Sequence, residues 1–473
     1  MMINDPQWYS VLPPIIAIIL AIKTKQVIPS LFAGIWIGAT LLSDFNPLLG
    51  LASGFDTVIN VFSDAGDTRV LIFTLLIGAL ITTIEKSGGV SGFVAYLENR
   101  KWVHTGFRAQ ILAWMTGIVI FIESNITLLV AGSVSRPLFD RYKISREKLA
   151  YLIDATSAPV CVMVPLNAWT AVIIGLIAST GMENAFGIFI QSIPYNLYAF
   201  TAIILAIIVI WKNINLGPMV AAEARTLSGK ISWHDNQDIQ VKDKNISNAE
   251  INTDEASAIF MVIPILTMTL AMPTFLYLTG DGDIMKGNGS TAIFWSICAA
   301  LFVCWCMLLF KKKSNISNLM GFFMEGAGSL LPIAIILLLA LALGDVAKLL
   351  GTGPYVAELA GANVPHIFLA PLVFLISGFI AFSVGSSWGT FAIMIPIALS
   401  IATTLDLSAP MLLGAALSGG VFGDHASPIS DTTVVASMAA GTDHIEHVRT
   451  QLPYALIAGL LSIIGFILLG SIQ

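Results

Sequence analysis

Long apolar segments, repeated along almost the whole chain, restrict most strongly what this sequence can fold into. A helix needs about 20 mostly apolar residues to cross a bilayer, and such windows occur at 186–211, 257–278, 291–310, 329–350 and 452–471. Charged residues make up only 11% of the chain, whereas soluble domains carry about 25%. These windows lack the alternating pattern of a transmembrane β-barrel strand. The sequence therefore predicts an all-α polytopic membrane protein.

Several classes of function leave no signal in the chain. The four cysteines lie inside apolar segments, where buried free side chains are expected rather than disulfides or a metal cluster: Cys161, Cys298, Cys304 and Cys306. No phosphate-binding glycine loop, zinc motif or nucleophile elbow occurs in a soluble region. The chain is therefore not expected to be an enzyme, to hold a cofactor or to bind nucleic acid.

The distribution of lysine and arginine predicts the orientation, because cytoplasmic loops retain these residues. Lys23 and Lys25 separate the apolar segments 8–22 and 27–43, which places that turn inside and the N-terminus outside. Nine basic residues lie between positions 86 and 148, and none lies between 349 and 448. The loops of the first region are expected in the cytoplasm, and the polar connections of the second region, around 351–366 and 403–409, are expected outside. Both termini are predicted to be outside.

The segment 111–135 does not fit a single crossing. Arg108 precedes it, Arg136 follows it, and Glu123-Ser124-Asn125 lies in its middle. One crossing would put a basic cluster on the wrong face, so two half-helices that enter from the cytoplasm and return are favoured. The alternative is an ordinary helix with a buried polar patch.

The second half carries a similar pattern with opposite charge flanks. Residues 366–402 break at 385–389, Gly-Ser-Ser-Trp-Gly, and their flanks lack basic residues, which predicts a hairpin that enters from outside. Lys86 and Gly89 align with Lys348 and Gly351 at an offset of 262 residues. A second pair, Gly117 and Phe121, aligns with Gly378 and Phe382 at 261.

Together these matches predict an inverted repeat. We expect five transmembrane helices and one re-entrant hairpin in each half, with discontinuous helices at the midplane. The first repeat covers 1–211, with its hairpin at 111–135 and a broken helix at 149–178. A cytoplasmic linker covers 212–256. The second repeat covers 257–473, with its hairpin at 366–402 and a broken helix at 409–440.

Oxygen-bearing side chains cluster at the predicted tips and breaks. An ionisable group at membrane depth is costly, and a proline inside a helix frees a carbonyl oxygen, so these places suit a hard cation or a proton. The candidate cation ligands are Ser124, Asn125, Thr156, Ser157, Ser386, Ser387, Asp424, Ser427 and Asp431. The candidates for substrate or proton binding are Glu123, Asp154, Asn167, Trp388 and His425.

Structural roles remain as alternatives for several of these residues. Asp424 and Asp431 lie seven positions apart and bracket Pro428. At least one of them is expected to bind a cation or proton, and the alternative is a hydrogen bond to a free backbone amide. For Ser427 and Thr432, the alternative is a hydrogen bond to a helix carbonyl.

Histidine changes charge near neutral pH, which makes it a candidate proton carrier. His425 is expected to be neutral and hydrogen-bonded. A second group, His444, Glu446 and His447, stands beside Arg449 and is expected to form a solvated helix end.

Residues 423–433, Gly-Asp-His-Ala-Ser-Pro-Ile-Ser-Asp-Thr-Thr, resemble the signature of the NhaC-type Na+/H+ antiporter family. Residues 123–127, Glu-Ser-Asn-Ile-Thr, are similar to the hairpin tip of the broader ion transporter superfamily, which adds Thr127 to the candidates. The resemblance implies an inner-membrane homodimer with a scaffold domain and a transport domain that moves like an elevator. The tip at 385–389 lacks the asparagine of the first tip, which predicts a looser or absent cation site there.

Two functions stay open. The first is a Na+/H+ antiporter, in which a carboxylate holds Na+ or H+ in turn. The second is a Na+-coupled transporter of a small amino acid or organic acid, including malate/lactate-type exchange, with the solute near Asn167, Trp169 and Trp388. A channel is disfavoured because inverted repeats with paired broken helices suit alternating access.

Overall fold

The computed structural model describes residues 8–24, 26–93, 103–121, 123–165, 167–182, 184–230, 257–282 and 287–472. Within these ranges the secondary structure is helical, with no β-strand. The α-helices are α1 (Leu12–Thr24), α2 (Val27–Leu42), α3 (Pro47–Asn60), α4 (Ala65–Lys86), α5 (Gly106–Val119), α6 (Ser124–Arg141), α7 (Arg146–Cys161), α8 (Ala168–Ser179), α9 (Ala185–Ser192), α10 (Leu197–Lys212), α11 (Pro218–Leu227), α12 (Ile259–Thr279), α13 (Gly289–Phe310), α14 (Ile316–Leu349), α15 (Thr352–Asn363), α16 (Leu369–Val384), α17 (Ser387–Thr404), α18 (Ala409–Ala426), α19 (Asp431–Ala440) and α20 (His444–Gly470).

Among the described residues, seven helices are long and apolar enough to cross a membrane, and up to nine spans result if each of two bent pairs counts as one. One bent pair is α2 with 47–63, at an angle of 119°, and the other joins 185–195 to α10 at 42°. These lengths and compositions agree with the predicted helical, multi-pass membrane protein.

The helices around the predicted polar positions are short and interrupted. In the first half, α5 ends at Val119 and α6 begins at Ser124, while α7 ends at Cys161 and α8 begins at Ala168. In the second half, Gly385 and Ser386 separate α16 from α17, and residues 427–430 separate α18 from α19. Four helix interruptions therefore lie within the segments where the sequence predicts hairpins and broken helices.

Helices from the two halves pack between one another. Helix α6, from the first predicted hairpin, packs against α19 of the second half, and α8 packs against α17. The apolar core runs through both halves, and it includes the fully buried side chains of Ile77, Ile173, Phe391 and Leu412. This arrangement brings residues about 270 positions apart in the chain into one polar region.

Two glycines bring α16 and α18 into close contact. A Cβ on Gly423 would lie 2.1 Å from the Gly378 carbonyl oxygen, a distance at which the helices would have to separate. The absence of a side chain at position 423 therefore allows close packing, as small residues often do between membrane helices. This contact holds the last turn of α18 beside the end of α16.

The beginning of the predicted linker, 212–256, is a packed helix. Within α11, Arg225 forms a salt bridge of 2.9 Å with Glu147 of α7, and both side chains are buried. The Ser145 hydroxyl, at the start of α7, donates to Glu223 at 2.6 Å. This part of the linker is therefore attached to the helix bundle, while residues 231–256 lie outside the described ranges.

Candidate ion-binding site at the broken helices

A buried carboxylate lies where α18 ends. Asp424 is 1% exposed, and three hydroxyl groups donate to its two oxygens. Ser387 Oγ lies 2.9 Å from Oδ2, and Thr432 Oγ1 lies 3.2 Å from the same atom. Ser430 Oγ donates to Oδ1 at 2.6 Å. The donors come from the tip between α16 and α17 and from the start of α19, so three separate chain segments form the site.

Local sequence explains why these segments meet. Gly385 ends α16 with a φ of 71°, in the left-handed region that glycine adopts most easily. Ser386 then caps α17, and Ser430 caps α19. The Ser427 hydroxyl donates to the Phe382 carbonyl at 2.7 Å and ties the break after α18 to the end of α16. The N-termini of α17 and α19, which carry partial positive charge, therefore both lie beside Asp424.

One carboxylate and three hydroxyls form a donor set for a hard cation. A hydroxyl has two lone pairs as well as its hydrogen, so Ser387, Ser430 and Thr432 can rotate and offer oxygen to an ion bound at Asp424. Oxygen ligands favour alkali and alkaline-earth cations over transition metals. In the described ranges, no group of three or more His, Cys, Asp and Glu side chains could hold a metal ion.

A second buried carboxylate lies on α7. Asp154 is fully buried, and its Oδ2 accepts from Gln451 Nε2 at 2.6 Å and from Thr433 Oγ1 at 3.3 Å. Two histidine nitrogens approach to 4.0 Å, His425 Nε2 toward Oδ1 and His447 Nε2 toward Oδ2. This cluster adjoins the Asp424 site through neighbouring residues of α18 and α19.

The polar side chains of the tip before α6 contact one another. Glu123 is 6% exposed, and its Oε1 accepts from Ser124 Oγ and from Asn125 Nδ2, both at 3.1 Å. The Thr127 hydroxyl contacts the backbone carbonyls of Glu123 and Ile120. These hydrogen bonds join predicted residues that are neighbours in the chain.

A family model described as the Na+/H+ antiporter family matches residues 160–471, more than half of the chain. The matched region includes α16 and α17 of the second predicted hairpin and the broken helix around Asp424. The chain belongs to the Na+/H+ antiporter family. This confirms the family predicted from residues 423–433 and makes the protein a transporter rather than an enzyme.

Relatives of this antiporter-family chain cover different shares of it. An uncharacterized protein of Haemophilus influenzae is 31% identical over 98% of this chain and 91% of its own length. The malate-2H(+)/Na(+)-lactate antiporter of Bacillus subtilis is 33% identical over 35% of this chain and 37% of its own length. The family membership therefore identifies a secondary transporter without identifying its cargo.

A solved structure shares the fold. The YdaH transporter of Alcanivorax borkumensis has a TM-score of 0.59 and 16% sequence identity, with 89% of this chain and 88% of that chain covered. A similarity at this low identity indicates a shared fold, and that fold agrees with a multi-pass helical protein.

Several predicted cation ligands lie outside the group around Asp424. Thr156 and Ser157 donate to backbone carbonyls of α7, at 2.8 Å and 3.2 Å for their shortest contacts. Asp431 is exposed at the start of α19, where its carboxylate accepts from the Thr432 amide at 3.0 Å. Ser386 caps α17, and Ser427 bonds to α16 as described above. Of the nine predicted ligands, the structure brings Asp424 and Ser387 into direct contact.

The residues predicted to surround an organic solute contact one another. The rings of Trp169 and Trp388 lie 4.8 Å apart between centroids, and both side chains are buried. Asn167 Nδ2 donates to the carbonyls of Phe121 and Cys161, at 3.0 Å and 2.8 Å. These three residues therefore connect both tips to the start of α8. A cavity beside Asn167 measures about 10 Å³, which is room for one water molecule.

The expectation of a solvated helix end is wrong for His447. This side chain is fully buried, and its Nε2 lies 2.9 Å from Gln451 Oε1. Charged neighbours in the sequence concealed its burial. The spacing of His447 and Gln451, four positions apart, places both on one helix face, and that spacing was the available signal. Ser430 was missed as a donor to Asp424, although a serine before the first turn of α19 is typical of a helix cap.

Proposed function

We propose that this transporter exchanges Na+ for H+ across the bacterial cytoplasmic membrane. The observation that carries the proposal is the buried Asp424 carboxylate with hydroxyls from Ser387, Ser430 and Thr432 around it. In the described ranges, Asp424 forms no ion pair with lysine or arginine. The site therefore offers one buried carboxylate and three hydroxyl oxygens, and the nearby Asp431 carboxylate adds negative charge, which suits a monovalent cation.

Charge compensation explains the coupling. A carboxylate that crosses the low-dielectric part of a membrane without a counter-charge is costly. Na+ bound at Asp424 lowers that cost, and once Na+ has left, a proton bound at a carboxylate of the same buried region supplies the same single positive charge. With either ion bound, the part of the protein that carries Asp424 can move between the two sides of the membrane. Without an ion, its uncompensated charge makes that movement slow. Obligatory exchange follows from this penalty.

The paired interruptions support an alternating-access architecture. We propose that the halves 1–211 and 257–473 form an inverted repeat, with hairpins at 111–135 and 366–402 that enter from opposite sides, and that the transporter works as a homodimer with both termini outside. Exposed positions allow a direct test of orientation. Cysteines introduced at Thr404 and Lys143 are expected to react with an impermeant thiol reagent from outside and from inside, respectively. The reverse pattern would invert the assignment.

A Na+-coupled exchanger of a small amino or organic acid is the second candidate. A cavity of about 280 Å³ favours it, because its lining includes Lys348 and extends along α17 to Ala392, one turn after Trp388. A lysine at an apolar cavity can pair with a carboxylate group of a solute. The name of the Bacillus subtilis relative, a malate/lactate exchanger, also supports this alternative.

Lumenal pH in proteoliposomes separates the two functions. With purified protein, an imposed Na+ gradient and no organic solute, we expect an immediate pH change in the wild type and none in empty vesicles. A silent trace from correctly inserted protein that still exchanges labelled Na+ would contradict Na+/H+ exchange. Recovery of the response on addition of one member of a solute panel would establish the second candidate.

A further inference from the structure

A row of polar side chains leads from the protein surface to Asp154. At the outer end, His444 is partly exposed, and its Nδ1 lies 3.1 Å from Ser437 Oγ. The same hydroxyl lies 2.9 Å from His447 Nδ1. His447 is buried, and its Nε2 lies 4.0 Å from Asp154 Oδ2. Every gap in this row except the last is a hydrogen bond.

The hydrogen-bond partners allow His447 to exist with and without an extra proton. Its Nε2 faces Gln451 Oε1, which only accepts, so Nε2 carries hydrogen in both states. In the neutral ring, Nδ1 accepts from the Ser437 hydroxyl. In the charged ring, Nδ1 donates to Ser437, whose hydrogen turns to the Thr433 carbonyl at 2.7 Å. A rotation of one hydroxyl therefore accompanies the arrival of a proton.

His444 is arranged in the same way. Its Nε2 lies 2.7 Å from the Pro428 carbonyl oxygen, which can only accept. Nδ1 is therefore the nitrogen that gains and loses the proton, and it faces Ser437. Both rings turn one exchangeable nitrogen to the same hydroxyl, so a proton can pass from His444 through Ser437 to His447 Nδ1. The charged His447 ring would then give the hydrogen on Nε2 to Asp154 Oδ2 and keep the hydrogen on Nδ1, and a turn of the ring would restore its first state.

The exposed end of the row lies beside a basic loop. Arg146 Nη1 donates to the Gly441 carbonyl at 2.9 Å, just before α20 begins. Arg146 also pairs with Asp140 at 2.9 Å. The end of α6 and the loop after it contain Arg136, Arg141 and Lys143, a basic cluster that predicts the cytoplasmic side. Protons would enter the row from the cytoplasm.

The inner end contains polar atoms without partners in the described ranges. Asp154 Oδ1 and His425 Nε2 both lack a hydrogen bond there, although their residues are at least 98% buried and the two atoms lie 4.0 Å apart. Tyr198 closes this end through its hydroxyl, 3.2 Å from His425 Nδ1. A cavity of about 10 Å³, room for one water, adjoins His425, Tyr198 and Gln451. A side-chain movement of about 1 Å would bring Asp154 within hydrogen-bond distance of either histidine.

We propose that Asp154 is the proton site of the exchange, separate from the Na+ site at Asp424, and that His444, Ser437 and His447 load it from the cytoplasm. The proposal rests on the proposed Na+/H+ exchange. The titratable groups that face Asp154 are His425 and Asp424 of α18, His447 of α20, Tyr198 of α10 and Asp431 of α19. Thr433 joins the two sites, because its Oγ1 lies 3.3 Å from Asp154 Oδ2 and 3.4 Å from the Asp424 carbonyl.

Two assays on the full chain in proteoliposomes test this separation. The first measures Na+-driven change of lumenal pH, and the second measures exchange of labelled Na+ for unlabelled Na+ at equal pH, which moves no net proton. Asp154→Asn is expected to reduce the first by about 100-fold, in the range of a lost proton-transfer group, and to retain the second. Asp424→Asn is expected to lose both.

The row itself is tested by His447→Gln and Ser437→Ala. Both should slow proton movement by at least about 10-fold and alter its dependence on cytoplasmic pH, while exchange of Na+ for Na+ continues. The matched control is His366→Gln, at an exposed position before α16, which should behave as the wild type in both assays.

The outcomes distinguish this proposal from the proposed function. If the wild type moves no protons with Na+ alone, Na+/H+ exchange fails and the proton site with it. If the wild type exchanges and Asp154→Asn still moves protons, or loses Na+-for-Na+ exchange equally, only the separate proton site is overturned. If Asp154→Asn does not fold, wild-type proton rates and pH profiles in both His447→Gln and Ser437→Ala overturn it.

Discussion

The two predicted hairpin tips, one between α5 and α6 and one between α16 and α17, differ in the partners of their polar side chains. At the first tip, the Glu123 carboxylate accepts from Ser124 and Asn125, its immediate neighbours in the chain. At the second tip, no carboxylate is present, and Ser387 donates instead to Asp424 of another helix. Similar positions in the two halves of the chain therefore direct their polar side chains to different partners. At the second tip, Ser387 joins a candidate site shared by three chain segments.

The same difference appears in how each tip is held. Asn167 Nδ2, at the start of α8, fixes the first tip through the Phe121 carbonyl. At the second tip, a Cβ on Gly385 would lie 2.5 Å from the Ile429 carbonyl oxygen, so the backbone of the tip rests directly on the break after α18. A movement of the second tip must therefore disturb the Asp424 site, whereas a movement of the first need not.

The largest expected effect is that of Asp424→Asn. The amide keeps the size and one oxygen but removes the charge that binds the cation, so Na+-driven lumenal pH change should fall by about 100-fold or more, equivalent to about 3 kcal/mol. The measurement is a fluorescent pH indicator inside proteoliposomes. Asp406→Asn, at an exposed left-handed position after α17, is the control. Wild-type exchange in Asp424→Asn would show that Asp424 does not bind the transported ion.

A smaller effect is expected from Ser387→Ala. Loss of one hydroxyl ligand should weaken apparent Na+ affinity by about 10-fold, the scale of one hydrogen bond to a charged group. The maximal rate at saturating Na+ should be largely retained. Initial rates over a Na+ series measure both quantities, and Ser383→Ala, whose hydroxyl bonds within its own helix, is the matched variant. An unchanged affinity would mean that the second tip contributes no ligand.

The smallest effect is expected from Glu123→Gln. The new amide oxygen still accepts from Ser124 and Asn125, so the tip keeps these two hydrogen bonds and exchange should change by less than about 3-fold. The same pH assay measures it. A loss as large as that of Asp424→Asn would show that the first tip also binds an ion, and the contrast between the two tips would disappear.

Part of the candidate site was predictable from local sequence. Pro428, Ser427 and the glycine-serine pair at 385–386 mark breaks because their backbone preferences oppose a continuous helix, and the structure interrupts its helices there. Asp424 was predicted for the same reason, as a carboxylate next to a break. The burial of His447 was not predicted, because its neighbours Glu446 and Arg449 suggested a solvated surface.

The sequence by itself determined the class of this protein, a multi-pass helical transporter of the Na+/H+ antiporter family, because hydrophobic length and a contiguous motif are local properties of the chain. Only the tertiary structure decided which polar groups meet. Asp154 and Gln451 are 297 positions apart and lie 2.6 Å from each other between side-chain atoms. The rotation of each helix about its axis, and the depth at which it ends, depend on packing against helices from the other half. For that reason Ser387 faces Asp424, while Asp431, seven residues later in the same motif, is exposed at the start of its helix.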